Sequence, residues 1–198
     1  AARRQRQDRI VAASLVVEQC REKGADVVVG AIAVIAIWYG VDRVLAREAI
    51  GAIAVSRPTN PSGNVLTDEE VAHLAGLAAN YGIPLIVDNA YGAPFPGVIF
   101  VEAKPFWSPN TILTLSLSKL GLPGTRTGIV IGPESIISAV SSMTAIVGLA
   151  NGNIGQQLAL PWVESGQILE FGPQILRPFY QQKCAEATAW VREFFDAA

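Results

Sequence analysis

The sequence predicts an α/β fold: three layers, α/β/α, around a largely parallel sheet, with a helical C-terminal part. Three observations predict it. Short apolar runs with strand character recur at 51–58, 83–88, 111–117 and 127–132. A strongly signalled helix separates the first two of them, as a parallel connection requires. Polar residues gather where three of the runs end, and ligands of such sheets bind beyond the carboxyl ends of the strands.

At 198 residues the chain is long enough for one substantial core, and 1–198 reads as one α/β domain. It is 51% apolar and 16% charged. So little charge beside so much apolar material points to a subunit interface or to part of something larger. A net charge of −2 gives no basic field for nucleic acid or anionic lipid. Cys20 and Cys184 stand far apart and match no metal spacing, so no metal is expected and both read as free thiols of a reducing cytoplasm. The longest apolar run, "VVVGAIAVIAIWYG", falls short of the roughly 20 residues a membrane span needs.

In chain order, residues 3–23 read as an amphipathic helix with Ile10, Leu15 and Val17 inward and Gly24 as its stop. Residues 26–39 suit a strand buried on both faces, and their Ala and Ile content suits a buried helix as well. "GAIAVSRP" is a short strand ended by proline, followed by the turn formers of "TNPSGN". In "TDEEVAHLAGLAANYG", Thr67 with Glu70 three residues on is a capping box that starts a helix. Val71, Leu74, Ala75 and Ala78 form its inner stripe, and Gly82 stops it. "IPLIVDNAYG" reads as the next strand, and "TILTLSLSK" and "TGIVIG" as two more. From Pro133 the chain is mostly helical, with breaks near 148–155, 166 and 172–178.

The strand ends carry the chemistry. Ser56, Arg57 and Asn60 follow the first; Asp88, Asn89 and Tyr91 the second; Ser116, Ser118, Lys119 and Arg126 the third. An acid or an amine leaving a buried strand is desolvated unless a partner meets it. Two readings of Asp88 and Lys119 stand side by side on these residues alone: a buried ion pair that fixes the fold, or a functional site. His73 is read as a surface or half-buried helix residue, and the four tryptophans as core or interface.

"NPSG", then "DNAY", then "SLSK" with an arginine close behind resembles the ordered signature of fold-type I enzymes that use pyridoxal 5′-phosphate (PLP), the class I and II aminotransferases. Over roughly residues 51–180 the likeness is, more narrowly, to bacterial valine–pyruvate aminotransferases. The resemblance implies that Lys119 binds PLP as an aldimine and afterwards moves the substrate's α-proton. Asp88 would pair with the pyridine nitrogen, Tyr91 and Asn60 would donate to the ring's phenolic oxygen, and Ser116, Ser118 and Arg126 would hold the phosphate. Lys119, Asp88 and Tyr91 are thus the expected catalytic residues.

It further implies transfer of an amino group between alanine or valine and a 2-oxo acid such as pyruvate or 3-methyl-2-oxobutanoate, in a cytoplasmic homodimer. Small amino and oxo acids are the expected partners, with no nucleic acid and no membrane. The family's upstream phosphate segment and ring-stacking aromatic have no match in residues 1–50. Its small C-terminal domain is expected to be absent, and neither Arg177 nor Arg192 matches its carboxylate clamp. Two alternatives therefore accompany the aminotransferase reading: an incomplete or degenerate fragment that binds PLP without turnover, and a PLP-dependent lyase that shares the ring-holding residues.

Overall fold

The computed structural model describes residues 10–13, 28–29, 40–60, 62–149 and 152–195. Six strands form one sheet: β1 (Ile10–Ala13), β2 (Val28–Val29), β3 (Ala52–Ser56), β4 (Leu85–Asp88), β5 (Thr111–Ser116) and β6 (Gly128–Ile131). They lie in the order β2-β1-β3-β4-β5-β6. All neighbouring pairs are parallel except β5 and β6, which run antiparallel. This is the α/β class with a mainly parallel sheet.

Helix α1 (Val41–Arg47) precedes β3, and α2 (Asp68–Asn80) forms the crossover from β3 to β4. α2 begins where the capping box places it: the Glu70 amide donates to Thr67 Oγ1 (3.2 Å) and the Thr67 amide to Glu70 Oε2 (2.8 Å). Its expected stripe is its buried stripe, Val71, Leu74, Ala75 and Ala78. It ends at Gly82, whose φ of +65° a side chain would strain.

The stripe joins Ile53, Val55, Leu85, Val87, Leu113 and Leu115 in one core. Along β5, Thr111, Leu113 and Leu115 are buried while Ile112, Thr114 and Ser116 are half-buried, the alternation of a pleated strand. Leu74 and Leu85 are 0% exposed, and burying each side chain stabilises the fold by about 1.5–3 kcal/mol.

One expectation near the N-terminus needs correction. Ile10–Ala13 is a strand and not part of a helix, because it pairs in parallel with β3 over four residues, Ile10 with Ala52 through Ala13 with Val55. A partner that distant in sequence overrides a local helical pattern, and the β-branched pair Ile10 and Val11 suits the pleat. The rest of the expected helix over 3–23 lies outside the described residues. Within 26–39, Val28–Val29 is the strand β2 and the remainder also lies outside them. α1 had no sequence-based expectation, since it is short and only Val41 and Leu45 are buried.

The C-terminal part is helical as expected: α3 (Glu134–Gly148), α4 (Ile154–Glu164), α5 (Ile168–Phe171) and α6 (Arg177–Phe195). The break expected over 172–178 is instead a π-helical turn, Gly172–Leu176, that joins α5 to α6. Gly172 lets it pack against the loop after β4, since a Cβ there would sit 2.4 Å from the Pro96 carbonyl oxygen. Of the tryptophans, Trp162 packs edge-on against Phe171 at 5.0 Å, whereas Trp107 and Trp190 are exposed. Trp38 lies outside the described residues. His73 is half-buried on α2, and Cys184 is an exposed free thiol on α6.

Candidate active site

The parallel register puts Ser56, Asp88 and Thr114 side by side in one row at the C-terminal edge of the sheet. Asp88 Oδ1 accepts from the Ala90 amide at 3.2 Å and from the Thr114 hydroxyl at 3.4 Å. The ladder runs one step past the row on each side: the Arg57 amide donates to the Asp88 carbonyl and the Asn89 amide to the Thr114 carbonyl, both at 2.9 Å. The backbone on either side of the acid is therefore fixed by hydrogen bonds.

Tyr91 sits on the loop after β4. The buried Asn89 side chain donates to the Ala93 carbonyl, the Gly97 amide to Gly92, and the Val98 amide to the Tyr91 carbonyl itself. The loop closes against the end of β3 only because residue 92 is glycine. A Cβ there would stand 2.2 Å from Asn89 Oδ1 and 2.3 Å from the Arg57 carbonyl oxygen.

Asn60 lies on the turn after β3, closed by Gly63 N–H to Thr59 O (2.7 Å) and Thr59 N–H to Asn64 O (2.8 Å). The buried Arg57 anchors this turn. Its guanidinium donates to the carbonyls of Leu66 (2.6 Å) and Lys104 (2.9 Å) and to Asp68 Oδ1 (2.5 Å). That bond first, and then the Lys104 amide, holds the Asp68 carboxyl below its ordinary pKa. Arg57 thus pairs with an acid, and does so with its own side chain buried.

After β5 the chain makes a 3₁₀ turn, Leu117–Leu120, capped by Ser116, whose Oγ accepts from the Ser118 amide at 3.2 Å. The Ser116 hydroxyl keeps its own proton for donation. The turn ends on Gly121 at φ +106°, a conformation that favours glycine. Lys119 leaves this turn with its Nζ 5.0 Å from the centroid of the Tyr91 ring, a cation–π contact. Arg126 follows the second 3₁₀ turn, Pro123–Thr125, in the left-handed region at φ 49°, ψ 41°.

The structure thus brings Asp88, Tyr91, Ser116, Ser118 and Lys119 to one end of the sheet. Asn60 and Arg126 are on turns that leave the same end. One premise is corrected: Asp88 and Lys119 are both exposed and do not pair with each other. Asp88 stands between buried Val87 and Asn89, and Lys119 in the 3₁₀ turn that buries Leu117 and Leu120, so each is an exposed position in a chain segment whose other residues pack inward. The ion pair that does fix this region is Arg57–Asp68, between a buried guanidinium and a partly exposed carboxylate.

Thr114 and Gly92 join the site without having been singled out for it, and Asn89, named with the second strand end, serves there by holding the Ala93 carbonyl. Thr114 had a signal, because its pairing with Asp88 follows once the two strands are aligned. Gly92 had none, because its close neighbours come from another strand end.

PLP presents a pyridine nitrogen, a phenolic oxygen, an aldehyde and a phosphate. The groups gathered here answer each in kind: a carboxylate, a phenol and an amide, a primary amine, and hydroxyls with a guanidinium. All stand at the sheet end where such ligands bind, so the residues fit the cofactor.

Residues 38–175 match the family model described as aminotransferase class I and II. Over 147 residues the chain is 50% identical to the valine–pyruvate aminotransferase of Escherichia coli (strain K12), covering 74% of this chain and 35% of that protein. The crystal structure of valine-pyruvate aminotransferase from Salmonella typhimurium LT2 superposes with a TM-score of 0.70 at 48% identity, covering 74% of this chain and 38% of that one. The fold is also that of a PLP-dependent aminotransferase from Streptococcus suis 89-1591, with a TM-score of 0.72 at 18% identity. The chain spans 35% to 38% of the length of the two valine–pyruvate relatives. A family match running through most of the chain, on a sheet of this topology, makes the protein a member of the class I and II aminotransferases, and membership implies PLP as its cofactor.

Proposed function

We propose that these residues form the cofactor-binding core of the large domain of an aminotransferase that exchanges an amino group between a small apolar amino acid, alanine or valine, and a 2-oxo acid such as pyruvate or 3-methyl-2-oxobutanoate. The observation that carries the reading is the convergence of Asp88, Tyr91 and Lys119, with the lysine amine 5.0 Å from the tyrosine ring. The choice of substrates rests on the 50% identity to the Escherichia coli enzyme.

Bound here, PLP supplies an electron sink for the charge left when a substrate loses its α-proton. The protein's part is to hold and orient it and to move the proton. Asp88 accepts a hydrogen bond from the protonated pyridine nitrogen and keeps that proton in place, while Thr114 and the Ala90 amide orient the carboxylate. Tyr91 and Asn60 donate to the phenolic oxygen. Ser116, Ser118 and Arg126 bind the phosphate, the arginine through its planar fork. Lys119 Nζ would hold the cofactor's aldehyde and, as a free amine, would take the substrate's α-proton. Cation–π contact with Tyr91 keeps the amine beside the phenol.

The reading carries with it a cytoplasmic homodimer. Among the described residues no helix is long and apolar enough to cross a membrane.

Borohydride reduction of the protein with PLP, followed by peptide mass spectrometry, is expected to place the pyridoxyl mass on Lys119, and Lys119→Ala to abolish it. Folded protein without that adduct rejects the reading. With the adduct present, amino transfer from alanine to 3-methyl-2-oxobutanoate separates the enzyme from a form that binds PLP without turnover.

A further inference from the structure

We propose that Gly155, at the start of α4, is a positioning residue for Arg126: it is the only residue type that lets α4 back the turn on which this arginine is held. The inference rests on the reading of Arg126 as a phosphate ligand. A residue with a Cβ seldom adopts the left-handed conformation of Arg126, φ 49° and ψ 41°, unless its surroundings impose it.

Both neighbours impose it. Thr125 Oγ1 donates to the Leu122 carbonyl at 2.9 Å, and Thr127 Oγ1 to the Thr125 carbonyl at 3.0 Å. The Thr127 carbonyl accepts from the Leu117 amide at 3.1 Å, which ties this turn to the one that bears Lys119.

α4 closes the arrangement from behind. Gly155 is buried, and a Cβ on it would stand 2.0 Å from Thr127 Oγ1 and 2.8 Å from the Cβ atoms of both Thr125 and Thr127. These are short branched side chains rooted at the backbone, with no flexible end to swing away. α4 is anchored in turn by Ala159, which packs in the main core. Any larger residue at 155 must therefore displace the 125–127 segment or the helix, and Arg126 moves with the segment. Gly155 itself touches no cofactor group; it acts through Arg126.

The test compares PLP with pyridoxal, the same ring without the phosphate, by equilibrium binding to the full protein. Gly155→Ala is expected to weaken PLP about 10- to 100-fold, the range of a lost charge-assisted contact, and to change pyridoxal by less than about twofold. Thr127→Val keeps the shape but removes the hydroxyl that braces the turn, and is expected to show the same selectivity with a smaller loss. It decides the matter if Gly155→Ala fails to fold. In an Arg126→Gln background Gly155→Ala should add nothing to the loss of PLP affinity. Equal weakening of both compounds, or unchanged PLP affinity in the folded variants, overturns the proposal and leaves the cofactor reading intact. Wild-type protein that takes up neither compound overturns both.

Discussion

The sheet under α2 and the C-terminal helices treat their apolar residues in opposite ways. In the first region Val71, Leu74 and Leu85 are 0% exposed. In the second, Ile146 is 77%, Val147 82% and Phe194 74% exposed, and neither α3 nor α6 has a buried residue. The sheet region carries its own cohesion, because the strands and their crossover helix cover one another. Among the described residues no surface covers the outer faces of α3 and α6. The two regions also meet at the site: the sheet end presents Asp88, Tyr91 and Lys119, and α4 of the helical region packs Gly155 against the turn that carries Arg126.

The contrast is broken or sharpened most strongly in the core. Leu85→Ala should lower the unfolding free energy by about 2–5 kcal/mol, since it removes a fully buried side chain and leaves a cavity. Denaturant titration checks this, and a loss below about 1 kcal/mol would place the stabilising core elsewhere.

Acid comes next. The Asp68 carboxyl has a folded pKa below its ordinary 3.8, chiefly through its hydrogen bond from Arg57 and then through the Lys104 amide. A depressed carboxylate pKa stabilises the fold above the unfolded value, and that stability is lost as pH falls through 3.8 toward the folded value. The urea midpoint should therefore drop below pH 4, and Asp68→Asn should flatten that slope while lowering stability at neutral pH. A slope unchanged by the substitution would remove Arg57–Asp68 from the account.

The smallest effect is expected on α3, where Ile146→Ser should change stability by no more than about 0.5 kcal/mol. A loss above about 1 kcal/mol would show that this face is covered in the whole protein, and the contrast would then describe only the residues seen here.

Where interactions are local, the sequence was informative. The capping box at Thr67 and Glu70, the stripe from Val71 to Ala78 and the stop at Gly82 could each be read from neighbours within one or two turns. The ordered strand ends with Asp88, Tyr91 and Lys119 were also legible, because the chain writes them in a fixed succession. Ile10–Ala13 was misread because the partner that makes it a strand lies far along the chain. A buried Asp88–Lys119 ion pair was one of two readings, and it fails because an apolar run does not reveal which side chains at its end turn to solvent. Gly92 and Gly155 could not have been found at all, as each is required by atoms that only folding brings near.

The row Ser56, Asp88, Thr114 has a further consequence. Side chains alternate between the two faces of a strand, so sliding β4 by one position would turn Asp88 to the opposite face. The same slip would drag Leu85 and Val87 out from beneath α2. Misalignment that misplaces the acid is therefore rejected by the hydrophobic packing itself, and a single proofreading step guards both the fold and the orientation of its chemistry.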